Sequence, residues 1–283
     1  MSNTLQSRGT LTPELVIDAS SVDRQYWRDL WTYRELFYFL AWRDLLVRYK
    51  QTVVGIAWSF IRPFLTMAVL TVVFGKLGNM PSAGVAYPLL VFCGMLPWQF
   101  FSTALSESGN SLVNNTNLIS KIYFPRLVIP ASSVLTSMVD FMISVVFLAI
   151  LMTWYASIPP AQIVLLPVFI FFALATSLGA GVWVAALTVR YRDFRIIIPF
   201  LVQFGLYISP VGFVSTIVPE KWRLLYFLNP IAGVIDGFRW CILGGEHELY
   251  LPGLAVSLIT ATIITLGGIW YFRATENEFA DII

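Results

Sequence analysis

The chain has 283 residues, 58% of them hydrophobic and only 12% charged, with a mean hydropathy of +0.75 and a net charge of +2. Soluble domains carry about 25% charged residues, which excludes an ordinary cytosolic globule, and so small a positive excess leaves no footprint for nucleic acid. What remains is an all-α integral membrane protein.

The first thirty residues are polar and show no cleavable signal peptide. Residues 31–50 then predict a helix that does not span, with Trp31, Tyr33, Trp42 and Tyr49 suited to the headgroup interface. Apolar runs at 53–77, 87–107, 127–155, 163–188, 196–214 and 252–272 each approach the roughly 20 residues a crossing needs. Six crossings place both termini on one side. Most of the 18 basic residues fall there too: the cluster ending in Arg43, Arg48 and Lys50, then Lys121, Arg126, Arg190, Arg192, Arg195 and Arg273. That side is expected to be cytoplasmic, with Asn115 inside and Glu246 outside.

Between the second and third spans, residues 108–126 are polar first and basic last, which predicts a cytoplasmic excursion. Residues 215–251 are apolar but broken by Pro219, Asn229-Pro230 and Gly244-Gly245, which predicts two short helices dipping into the outer leaflet. On the second of these, Asp236 and Arg239 stand three apart and can pair. Ala175 with Gly179, and Ser177 with Gly181, have the spacing of small residues that lets membrane helices approach closely.

Chemistry is sparse. The only Gly-Lys pair, Gly75-Lys76, is followed by Leu77, so no nucleotide-binding P-loop is present. His247, the single histidine, lies in a polar loop between Glu246 and Glu248, a pattern for solvent rather than metal; Cys93 and Cys241 have no ligand spacing. No metal site, catalytic group or cofactor is expected in this chain. Intramembrane acids are too few for a proton relay, so transport would draw its energy elsewhere.

One charge stands out. Arg62, followed by Pro63, lies about 14 Å into the first span, where a lipid-facing arginine costs at least about 2.5 kcal/mol. It is expected to face protein or a wet cavity. Trp58, Arg62 and Thr66 share a face at four-residue spacing. Two roles stay open and are compatible: an ion pair between Arg62 and Asp140 of the third span, or the lining of a path for a polar or anionic passenger. Phe200, Gln203, Phe204 and Tyr207 form a similar mixed face on the fifth span, with rings able to stack on sugars and polar tips able to bond hydroxyls.

Taken in order, "RDLLVRYKQTVVGIAWSFIRPF", "GMLPWQFFSTAL", "NLISKIYFPR", "VRYRDFR" and the late "LNP…FR" resemble the permease subunit of ABC-type polysaccharide exporters, a family that includes O-antigen (Wzm-type), capsule and teichoic-acid exporters. The likeness runs from about residue 30 to the end, leaving 1–30 as an unmatched cytoplasmic segment and 31–283 as the transmembrane domain. It implies a homodimer in the bacterial inner membrane that binds two copies of a separate ATPase, which alone holds ATP and Mg. It implies a lipid-linked polysaccharide, undecaprenyl-linked and most readily O-antigen, as substrate. It also implies a coupling helix within 110–124, with the path along the first and fifth spans. Asn114, Asn117, Leu118, Lys121 and Tyr123, with Arg190 and Arg192, are the expected ATPase contacts. The alternatives are a permease of the same build for a drug or small lipid, or an ATP-independent channel, carrier or membrane glycan enzyme.

Overall fold

The computed structural model describes residues 22–50, 55–82, 84–121, 124–244 and 249–279, and among these every regular element is helical. Five helical stretches are long and apolar enough to cross a membrane: Ala57–Leu77, Tyr87–Asn114, Val128–Trp154, Ala161–Arg190 and Leu251–Glu278.

The chain begins with α1 (Val22–Thr32) and α2 (Arg34–Lys50), joined at Tyr33. The interfacial helix expected from residue 31 thus has a predecessor, and the boundary drawn at residue 30 falls inside α1. Arg273 lies 4.2 Å from the ring centroid of Tyr26, whose hydroxyl donates to Glu276 at 3.0 Å, so α1 is tied to the far end of the chain. Burial, and then the neighbouring Glu276 carboxylate, hold the Tyr26 phenol well above its usual range.

α3 (Gly55–Leu70) keeps Pro63 inside it and runs into a π-helical stretch, Thr71–Leu77, closed by the Gly78 amide donating to the Val73 carbonyl at 2.8 Å. α4 (Tyr87–Asn114) is the hub of the bundle and packs on α3 and on several of the helices that follow it. In its most apolar window 78% of residues are buried, against 17% for the first span. α4 extends past residue 107, so the excursion expected at 108–126 is shorter: the one regular element between α4 and the next long helix, among the described residues, is a single turn, α5 (Thr116–Ile119). Apolar periodicity ends at about Leu105, but Ser108, Gly109, Ser111 and Leu112 are all buried against neighbouring helices, and that packing carries α4 onward.

α6 (Val128–Trp154) and α7 (Leu166–Arg190) flank α4, and α11 (Leu251–Thr275) packs on α7. The small-residue spacing explains how. A Cβ added at Gly179 would meet the Thr265 backbone at 2.3 Å, and one at Gly268 would meet the Gly179 carbonyl at 2.2 Å. Thr265 also donates its hydroxyl to the Ala175 carbonyl at 2.9 Å. Ala175 and Gly179 therefore serve the α11 contact, while Gly181 faces Ser108 of α4.

α8 (Phe194–Ile208) has only 15 residues, fewer than the 196–214 span read from hydropathy. Its neighbours show its reach. Ile198 lies against Gly109 near the C-terminal end of α4, Gly205 against Trp98, and Gly212 against Phe74 of the π-helical stretch. Tyr87, at the start of α4, donates its hydroxyl to the Gly212 carbonyl at 2.6 Å. The helix and the irregular stretch after it together run beside α4 for most of its length.

The carbonyls in that irregular stretch need partners, because lipid offers none. Tyr226 of α9 (Glu220–Tyr226) donates to Ile208 O at 2.9 Å, at the end of α8. Arg239 of α10 (Pro230–Leu243) donates to Val211 O and Phe213 O, both at 2.7 Å, and to Leu90 O of α4 at 3.2 Å. Asp236 accepts from the Ser215 hydroxyl. The pair expected on one helix face is therefore spent on the loop: its two members reach separate parts of the same irregular stretch. Asn229 caps α10 by accepting from the Ile231 amide, with Pro230 at the first helical position, as the Asn-Pro break predicts. Gly245 to Glu248, and with them the readings made for Glu246 and His247, lie outside the described residues.

Candidate functional site

A cavity of about 550 Å³ lies between the end of α2 and helices α3, α4 and α6. α3 contributes Trp58, Ser59, Arg62 and Pro63; α4 contributes Leu96, Gln99, Phe100, Thr103 and Glu107. α6 adds Ser137, Asp140, Phe141 and Ser144, and α2 adds Arg48 and Tyr49. The spacing makes this local geometry intelligible. Gln99, Thr103 and Glu107 recur every four residues on α4, and Ser137, Asp140 and Ser144 recur at three and four on α6, so each helix turns a polar stripe inward. Pro63 is buried beside them, where neighbouring helices cover a break in the backbone ladder.

Arg62 is where the sequence places it, open to a cavity, and Trp58 lines the same space. The ion pair assigned to Arg62 and Asp140 is not formed. Asp140 is taken by Arg48, which bonds it through Nη1 and reaches Glu107 through Nη2 at 2.8 Å. The Tyr49 hydroxyl also donates to Asp140 and lies 3.4 Å from Ser59 Oγ. The physical reason is the packing of α2 across α6, which brings Arg48 and Tyr49, at the C-terminal end of α2, onto Asp140. Burial and then the Asp140 hydrogen bond raise the Tyr49 pKa, so the phenol keeps its proton and remains a donor. Among the described residues Arg62 has no acidic partner.

Thr66 does not line the cavity; its hydroxyl bonds back to the Arg62 carbonyl at 3.0 Å. Phe200, Gln203, Phe204 and Tyr207 lie elsewhere as well. They form the exposed face of α8, with the Phe200 and Phe204 ring centroids 4.4 Å apart, while Gly205 takes Trp98 on the packed side. Within one chain the faces picked from the first and fifth spans are thus separate. Asn114, Asn117 and Lys121 are exposed, Leu118 is half-buried, and Arg190 and Arg192 are exposed at the end of α7 and just beyond it. Tyr123 lies outside the described residues. Arg43 of α2 donates to Asn115 Oδ1 at 2.9 Å, linking the interfacial helix to the start of α5.

Sequence reasoning missed Arg48, Tyr49, Gln99 and Thr103. The polar stripe on α4 was available as a signal in the four-residue spacing of Gln99, Thr103 and Glu107; the reach of Arg48 was not, because it depends on how α2 packs. Among the described residues no cluster of His, Cys, Asp or Glu could hold a metal ion.

A family described as ABC-2 type transporter matches residues 35–243. An O-antigen export system permease of Myxococcus xanthus is 30% identical over 264 residues, covering 90% of this chain and 98% of that protein. An O-antigen export system permease of Klebsiella pneumoniae is 26% identical, over 88% of this chain and 95% of its own length. A polysialic acid transport protein of Escherichia coli is 20% identical over 83% of this chain and 91% of that protein.

Proposed function

Because the chain belongs to the ABC-2 type transporter family, we propose that it is the membrane permease of a polysaccharide exporter, working as a homodimer with two copies of a separate ATPase. The relatives that match nearly end to end are named for O-antigen and polysialic acid export, which favours a glycan over a drug or small lipid. The substrate is a glycan on an undecaprenyl carrier, O-antigen before capsule or teichoic acid. The membrane is the bacterial inner membrane, with both termini cytoplasmic.

One observation carries the reading: the first span places an arginine and a tryptophan, both exposed, at the lining of a cavity shared with α2, α4 and α6. An arginine forks onto phosphate oxygens, and an aromatic face stacks on a sugar. The open ring face of α8 suits weak, repeated contacts with a polymer once a second copy encloses the path. ATP and Mg belong to the partner, which docks on the segment from Asn114 to Lys121 and on Arg190 and Arg192 at the end of α7. Deleting the gene is expected to remove the surface polysaccharide and leave lipid-linked polymer on the cytoplasmic side, with both reversed by the wild-type chain. Unaltered surface glycan in the deletion strain would reject the reading.

A further inference from the structure

We propose that Arg48 is an anion ligand held in reserve, occupied at rest by Glu107 and Asp140 and released to the phosphate of a membrane-embedded carrier. This rests on the export reading and adds to it how the carrier is admitted.

The geometry is that of a shared cation. The two terminal nitrogens of Arg48 are spent on carboxylates from two different helices, Glu107 of α4 and Asp140 of α6. Tyr49, the next residue, adds its hydroxyl to Asp140 and approaches Ser59 of α3. The last turn of α2 is thereby fastened across the cavity to all three neighbouring helices. The fastening is exchangeable: the Arg48 and Asp140 side chains are 27% and 28% exposed and Glu107 50%, and bridges this wet are weak.

Charge decides what can enter. Arg48 and Arg62 are balanced by Glu107 and Asp140, so the resting cavity carries no net charge. A diphosphate cannot approach Arg48 while two carboxylates hold it, since like charges at that distance repel. It must take their place, forking onto the guanidinium as the acids do. Displacement also removes the Arg48 tie between the end of α2 and helices α4 and α6. Recognition of the anionic linkage and loss of that tie become one event.

The test uses opposite ends of one bridge. The purified full chain in neutral phosphatidylcholine nanodiscs is titrated with geranylgeranyl diphosphate, with geranylgeraniol and with inorganic pyrophosphate. Each is measured by competition against a fluorescent prenyl diphosphate, and the titrations are repeated with phosphatidylglycerol added to the disc. Glu107→Gln and Asp140→Asn should tighten prenyl diphosphate binding severalfold, and Arg48→Gln should weaken it severalfold, although all three lower the melting temperature. A bridge with only a structural role would move affinity in the same direction for all three, and that result overturns the proposal. So does wild-type binding of the prenol as tight as of its diphosphate. Equal competition by pyrophosphate would make this a site for free anions, and loss of prenyl diphosphate binding in phosphatidylglycerol discs a general headgroup site; either result also overturns it. None of these results bears on the export reading, which the deletion strain tests separately.

Discussion

Two arginines sit among apolar helices here, and their surroundings differ in kind. Arg239 is 2% exposed and uses three nitrogens on three backbone carbonyls, two of them in a stretch without helical hydrogen bonds. Arg62 is exposed to a cavity, with no acid beside it among the described residues. The first is part of the backbone's own hydrogen bonding and ties the irregular stretch to α4 and α10. The second is left with donors to spare, which is what a passing ligand requires. Depth in the membrane therefore does not separate these two charges; what each guanidinium is bonded to does.

Removing Arg239 should have the largest effect. Arg239→Ala leaves the carbonyls of Leu90, Val211 and Phe213 without their donor, at about 1–3 kcal/mol for each that finds no other partner. Folded protein recovered in detergent should fall steeply; wild-type yield would erase the contrast between the two arginines. Gly94→Ala attacks the same contact from α4, because its Cβ would come 2.5 Å from Arg239 Nη2. A loss of about 1–3 kcal/mol in thermal stability is expected from that overpacking.

Arg62→Ala should do the reverse, with stability within about 0.5 kcal/mol of wild type but surface glycan clearly reduced and lipid-linked polymer retained inside. Adding Asp140→Asn should not rescue export, since Asp140 is held by Arg48 and Tyr49. Recovery in the double variant would restore the pairing read from the sequence. The smallest effects belong to the ring face of α8. Phe204→Ala and Tyr207→Ala should each slow export mildly at unchanged protein level, and together they should slow it strongly. Pulse-chase appearance of glycan at the surface distinguishes these rates.

Much of this was legible in the sequence where a residue's role depends on its own helix. The long spans, the Asn229-Pro230 start of α10, the tight α7 seam and the position of Arg62 beside a cavity follow from periodicity, capping and the cost of charge in lipid. What stayed hidden depends on neighbours. Asp140 and Arg62 are the two charges well inside the apolar runs, so pairing them was the economical reading; the actual partner comes from α2, which is not among the helices long and apolar enough to cross. The division of Arg239 and Asp236 between different parts of one loop, and the short α8 completed by irregular chain, likewise depend on contacts that hydropathy does not carry.

The π-helical stretch at Thr71–Leu77 has a consequence for how the first span can turn. Such a stretch holds an additional residue that the α-helical repeat does not accommodate, and in this respect it behaves like a dislocation in a crystal. The α-helical part, with Trp58 and Arg62, is thereby out of phase with the π-helical end, where Phe74 lies against Gly212. Deleting one residue between Thr71 and Leu77 would anneal the defect into a plain α-helix and turn the residues after the deletion by about 100° against Trp58 and Arg62.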